Sequence, residues 1–168
     1  MPILSSARLI LRPPAGADAQ ALMEIHQDPV ALPHVMVVAP VGGITVAWRN
    51  IAMMLGHWQL RGYGQWTVVE RATEDVIGRV GFFNPEGWPG IELGWIIGRS
   101  RWGQGFATEA TRACLTWGAD NLEADHVTSL INPANPQSAR IAIKIGGQFE
   151  RDVPMGDEVF RLYKIGLR

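Results

Sequence analysis

The stretch IELGWIIGRSRWGQGFATEA, Ile91 to Ala110, joins a strand-like apolar run to a helix-like run through a basic turn. Gly103 and Gly105 fall where the helix should begin. The first amide N–H groups of a helix have no partner inside it, and with the helix dipole they form an anion site. Glycines there let an anion approach without a Cβ in the way. Arg99 and Arg101 flank the turn and add positive charge. A carboxylate stands in the apolar run before it. Strand alternation puts Glu92, Gly94 and Ile96 on one face, opposite Leu93, Trp95 and Ile97. A charge in so apolar a strand must face water, a partner or a pocket.

Two phosphate motifs fail at this turn. Gly98 and Gly103 have the P-loop spacing, but Gln104 and Gly105 stand where Lys and Ser/Thr are needed. The dinucleotide fingerprint lacks its third glycine, because Thr108 holds that place. Glu123 does lie about twenty residues on, yet three antiparallel-looking strands precede the turn, where a βαβ array belongs. Cys114 sits among Ala107, Ala110, Ala113 and Leu115 and reads as a packed core thiol. His26, His34, His57 and His126 have no ligand spacing, so no metal is expected.

The elements that must position these residues follow from periodicity. RLILRPP (Arg8–Pro14) reads as a first strand, and Ala21, Leu22 and Ile25 mark a helix that ends at Pro29. Residues 30–43 hold two prolines and two glycines in an apolar stretch and read as a loop that could wall or lid a pocket. Thr45–Gly62 is a second helix. GQWTVVER and VIGRVGFFNP form a hairpin, and GIELGWIIG is the strand after it. A helix is predicted from about Gly103 to Asn121, then strand HVTSLIN, then a helix in NPQSARIAIKIGG stopped by Gly146. QFERDVP and VFRLYKIGL close the chain. The order β-α-α-β-β-β-α-β-α-β-β predicts an α+β fold. Its mixed, mostly antiparallel central sheet carries helices on both faces.

The 168 residues suit one domain, taken as 1–168, and 47% hydrophobic residues suffice for a core. A net charge of −1 argues against general binding to nucleic acid or membrane surfaces. One cysteine permits no intrachain disulfide, which fits a reducing compartment. The N-terminus lacks a signal-peptide pattern, and no apolar run approaches ~18 residues. A cytoplasmic protein is expected.

WGQGFATEA after a strand resembles motif A of the GNAT superfamily of N-acetyltransferases, Gln/Arg-x-x-Gly-x-Gly/Ala. Trp102, Gly103, Gln104, Gly105, Phe106 and Ala107 fill its six places, with Trp departing from the general pattern at the first. The Trp-Gly-x-Gly-Phe-Ala-Thr-Glu-Ala form is similar to the RimJ/RimL-like branch of ribosomal-protein N-terminal acetyltransferases. Asn135-Pro-Gln-Ser138, the helix after it and RLILRPP also resemble that branch.

The resemblance implies acetyl-CoA as donor. Its pyrophosphate would meet the N–H groups of Gln104, Gly105, Phe106 and Ala107, with charge from Arg101 or Arg99. Arg140 and Lys144 are lesser candidates. Pantetheine would run in a V-shaped splay between the fourth and fifth strands, Ile91–Ile97 and His126–Asn132. Backbone groups near Ile96 and Ile97 would hold it and polarise the thioester carbonyl. Asn135 and Ser138 would line the far side. Glu92 matches a position where many members carry a catalytic glutamate. The usual acid, a Tyr seven residues after the Asn, is replaced by Ala142, which leaves Ser138 to serve the leaving thiolate directly or through water.

An amine attacks only when neutral. At pH 7.5 that costs a lysine side chain about 4 kcal/mol and an α-amine well under about 1 kcal/mol. The expected acceptor is a primary amine, either a protein N-terminus or a small molecule. The family also allows a homodimer. A non-catalytic acyl-CoA sensor and a transferase of another acyl group are the alternatives.

Overall fold

The computed structural model describes residues 1–30 and 42–167. The strands are β1 (Leu4–Ser5), β2 (Leu9–Arg12), β3 (Gln65–Glu70), β4 (Val76–Phe83), β5 (Glu92–Ile97), β6 (His126–Ile131), β7 (Gln148–Met155) and β8 (Glu158–Gly166). The helices are α1 (Ala19–Gln27), α2 (Ile44–Arg61), α3 (Phe106–Asn121) and α4 (Pro136–Lys144). One sheet of order β1-β2-β3-β4-β5-β6-β8-β7 holds all eight strands. Every neighbouring pair is antiparallel except β5 and β6, which α3 connects. This is the mixed α+β architecture expected from the sequence.

The differences are local. β1 adds a strand that periodicity misses. It is two residues long and exists through pairing of Leu4 with Leu11 and Ser5 with Ile10. α3 begins at Phe106, not at Gly103. Gly103 and Gly105 have φ of +74° and +82°, a left-handed backbone that helical residues do not adopt. The loop read over 30–43, with His34, falls mostly in 31–41, outside the described residues.

α3 lies on the sheet face built by Leu9, Leu11, Val80, Phe82, Leu93 and Val127, burying Phe106, Ala110 and Cys114. Each fully buried large apolar side chain contributes about 1.5–3 kcal/mol. Trp117 of α3 packs edge-on against Trp66, and Trp58 from the end of α2 reaches both. Ala19 and Leu22 of α1 pack with Ala47 and Ile51 of α2 beside Val76. There Asp18 is buried and takes both Arg12 terminal nitrogens at 2.6 and 2.8 Å. Its carboxylate also accepts from the Thr67 hydroxyl and the Ala15 N–H. Cys114 is buried in the core, and that burial raises its thiol well above the ordinary range. No helix among the described residues is long and apolar enough to cross a membrane.

Candidate active site

The parallel pair at the centre of the sheet closes at one end only. β5 and β6 register at Glu92 with Thr128. The Thr128 N–H donates to Ile91 O at 2.8 Å. One residue on, the Ser129 hydroxyl donates to Leu93 O at 2.6 Å, taking a place the main chain would hold in a continuing ladder. Beyond it the strands part around a cleft of about 680 Å³. Leu93 to Ile97 line one wall, and Ser129 to Asn132 line the other.

Antiparallel alternation decides which backbone groups face the gap. Gly98 N–H donates to Ile77 O, so Ile96, opposite Arg79, also turns its N–H and C=O to β4. The groups aimed at the splay are those of Trp95 and Ile97. Ile96, expected to offer its backbone to the splay, therefore turns it to β4 instead, and the backbone groups of its neighbour Trp95 face the splay. The Ile97 carbonyl accepts the Trp102 indole N–H at 2.6 Å, which leaves its N–H for the cleft. The indole Nε1 of Trp95 is buried at the cleft wall with no hydrogen-bond partner among the described residues. A buried donor so left is costly, and a carbonyl of a bound molecule would satisfy it.

The glycine turn closes the open end. A 3-10 turn at Arg99–Arg101 leads to Trp102, Gly103 and Gly105, all on the cleft. No side chain caps α3 at Gly105. With the helix beginning at Phe106, the bare N–H groups are those of Phe106, Ala107 and Thr108, and all three residues line the cleft. Gln104 does not line it. Its carbonyl accepts from Arg8 and its side chain donates to Ser100 O. Thr108 was one residue beyond the motif and was missed. Glu109 fixes the turn from behind, accepting from Ser6 Oγ, Arg8 N and Arg8 Nε at 2.7–2.8 Å.

Arg101 lines the cleft, but its charge is engaged by Glu70 at 2.8 Å and Asp75 at 3.0 Å. Arg99 is exposed and off the cleft. Three cations face it without an ion pair among the described residues: Arg79 on β4, and Arg140 and Lys144, one turn apart on α4. Asn135 caps that helix, accepting the Ser138 N–H at 3.0 Å. Ser138 lines the cleft, and its hydroxyl makes no hydrogen bond to the described residues. Ala142 is fully buried against Ile131 and Tyr163, on the sheet side of α4. Neither of the chain's two tyrosines lines the cleft.

At the closed end stands Glu92, buried at 7% exposure rather than on a half-exposed strand face. Burial pushes its carboxyl up to about 7, against bonds from Trp88 and the Leu130 backbone and the charge of Arg79. The Trp88 indole N–H donates to Oε2 at 2.7 Å. The spacing of Trp88 and Glu92 across the PEGWPGIE turn was the available signal for this contact. A carboxylate poised near neutrality, in a cleft and oriented by a fixed donor, is suited to take a proton.

The charges on α4 predict a salt-dependent effect. If the cleft takes acetyl-CoA, as the resemblance implies, replacing Arg140 and Lys144 together by Glu should weaken that binding by about tenfold or more at low ionic strength, with a smaller gap at high salt. Calorimetric titration at both salts checks this. An equal affinity for wild type and variant would remove α4 from the anion site.

Comparison with known proteins bears on this geometry. The family model described as Acetyltransferase (GNAT) domain matches residues 8–148. An uncharacterized N-acetyltransferase, p20, of Bacillus licheniformis is 28% identical over 152 residues, which is 89% of this chain and 84% of that protein. An acetyltransferase of Agrobacterium tumefaciens superposes with a TM-score of 0.84 at 28% identity, covering 98% of this chain and 94% of that one. RimL, a ribosomal L7/L12 α-N-protein acetyltransferase solved with coenzyme A, shares the fold with a TM-score of 0.83 at 16% identity, covering 98% of each chain.

Proposed function

The chain belongs to the GNAT acetyltransferase family, and on that premise we propose that it moves the acetyl group of acetyl-CoA to a primary amine by direct attack on the thioester. The amine belongs to a protein N-terminus or to a small molecule. One observation carries this reading: buried Glu92, held by Trp88, at the closed end of the splayed cleft.

Acetyl-CoA supplies an activated acyl carbon. The N–H groups of Phe106, Ala107 and Thr108 suit its pyrophosphate, with Arg140 and Lys144 adding positive charge. The orphaned Trp95 Nε1 and the backbone of Trp95 and Ile97 suit the amide-bearing arm between the strands. Glu92 takes the proton that the amine sheds as its nitrogen bonds to the acyl carbon, directly or through water. The carbon–sulfur bond breaks, and Ser138 stabilises the departing thiolate by a hydrogen bond, direct or through water.

The test begins with titration of the protein by acetyl-CoA, with ATP and NAD as controls, followed by thiol release in the presence of amines. Selective binding with amine-dependent release supports the proposal. Binding without release would favour an acyl-CoA sensor. Ser138→Ala should lower kcat by about tenfold, the worth of one hydrogen bond to a charged group, with acetyl-CoA affinity retained. A full wild-type kcat would remove Ser138 from the reaction.

A further inference from the structure

The face of the sheet that carries Glu92 also carries a cation. Arg79 lies on β4 opposite Ile96 and lines the cleft together with Gln65, Phe83 and Glu92. Its Nε donates to His26 Nε2 at 3.1 Å and its Nη1 to Gln65 Oε1 at 2.6 Å. Both partners are uncharged: burial foremost, with the charge of Arg79, drops the His26 imidazole to about 3. Two of the five guanidinium donors are therefore used among the described residues, and Nη2 has no partner there. No carboxylate among the described residues lies within ion-pair distance of Arg79. Residues 31–41 contain no Asp or Glu that could supply one.

Gly94 leaves room between cation and carboxylate. A Cβ there would stand 3.7 Å from Gln65 Nε2 and 3.9 Å from Glu92 Oε1. So Glu92 lies on one side of this gap, with Gln65 and the Arg79 it holds on the other. Glu92 acts on this guanidinium by charge across the gap but makes no ion pair with it, and a guanidinium set deep in a cleft with spare donors and only neutral hydrogen-bond partners is poised for an anion from outside the chain. One positive charge balances one negative charge, and its planar fork matches a carboxylate. A phosphate dianion would bring a second charge next to Glu92.

We propose that the acceptor is a small amine that bears its own carboxylate, an amino acid, with the carboxylate on Arg79 and the amine toward Glu92. This rests on the acetyl-transfer reading above and narrows its acceptor. Arg79 is then a residue that sets specificity, and His26 and Gln65 position it.

The test compares the twenty protein amino acids, each with its own carboxamide, as ligands of the protein saturated with CoA and as acceptors from acetyl-CoA. The amide has the less basic amine and hence the larger neutral fraction, so intrinsic reactivity favours the amide. At least one amino acid should nevertheless bind and react at least about tenfold better than its amide, as expected for a charge-assisted contact. At a pH well above about 7, where Glu92 is ionised with or without the Arg79 charge, Arg79→Gln should abolish that preference and slow the acid far more than the amide, and Arg79→Lys should restore part of it. If no acid outperforms its amide, the proposal is overturned. It is overturned too if Arg79→Gln slows acid and amide equally, because Arg79 would then serve only Glu92. A preference confined to peptides with N-terminal Asp or Glu would place the carboxylate on a protein terminus and overturn the small-molecule assignment. Binding that favours the acid and depends on Arg79, without turnover, would uphold the anion site and instead refute acetyl transfer.

Discussion

Glu92→Gln should lower kcat by roughly 10²–10⁴-fold, the usual worth of a positioned general base. Gln is isosteric, and its carbonyl oxygen can still accept the Trp88 indole N–H that now bonds Oε2, so the fold should hold. Acetyl-CoA affinity should stay near the wild-type value, because the bare amides and the α4 cations lie at the other end of the cleft. The pH profile is the sharper readout. Burial raises the Glu92 carboxyl to about 7, and only its ionised form can take a proton. Wild-type kcat should therefore climb as pH rises through about 7. With the same amine, the variant should lose that limb and keep only the titration of the amine. Superimposable profiles would assign the proton to water or to another group.

Asp18→Ala should destabilise the protein by about 3 kcal/mol, the low end for breaking a buried pair, since Arg12 can regain water. Arg12 keeps 31% of its side-chain surface exposed against 2% for Asp18. The Thr67 hydroxyl and the Ala15 N–H lose their acceptor as well. For a chain of this size the loss corresponds to roughly 6–12 °C in Tm. Burial opposes ionisation of Asp18. The Arg12, Ala15 and Thr67 hydrogen bonds and the Arg12 charge outweigh it and hold the carboxyl below its ordinary value. A carboxyl lowered by folding contributes stability above its unfolded pKa of about 3.9, and that contribution is lost as pH falls through the folded value. Urea midpoints of the two proteins should differ most at neutral pH and converge below about pH 4. A constant gap down to acid pH would mean that packing, not charge, accounts for the loss.

Element type and order were written in local pattern. The 3.6-residue period of α2 and α3, the turn residues around β3 and β4, and the glycine pair before α3 are short-range signals that need no partner. The motif and its resemblance likewise marked Glu92, the turn and the α4 cap, because each is a run of adjacent residues. What the chain could not disclose locally is how those runs meet. Gln104 belongs to the motif, yet the left-handed turns at Gly103 and Gly105 send it toward Arg8. Arg101 is basic, yet Glu70 and Asp75, over 25 residues away in sequence, engage it. Ile96 and Trp95 are neighbours, and only the β4–β5 register decides which one turns its backbone to the cleft. The sequence by itself determined the set of elements, except β1, which exists only through its pairing with β2, and the chemical groups on them. Tertiary structure decided the splay at Ser129, the burial of Glu92, and the place of Arg79 on the cleft without an ion pair among the described residues. These depend on contacts between distant residues and on exclusion of water, which no local pattern encodes.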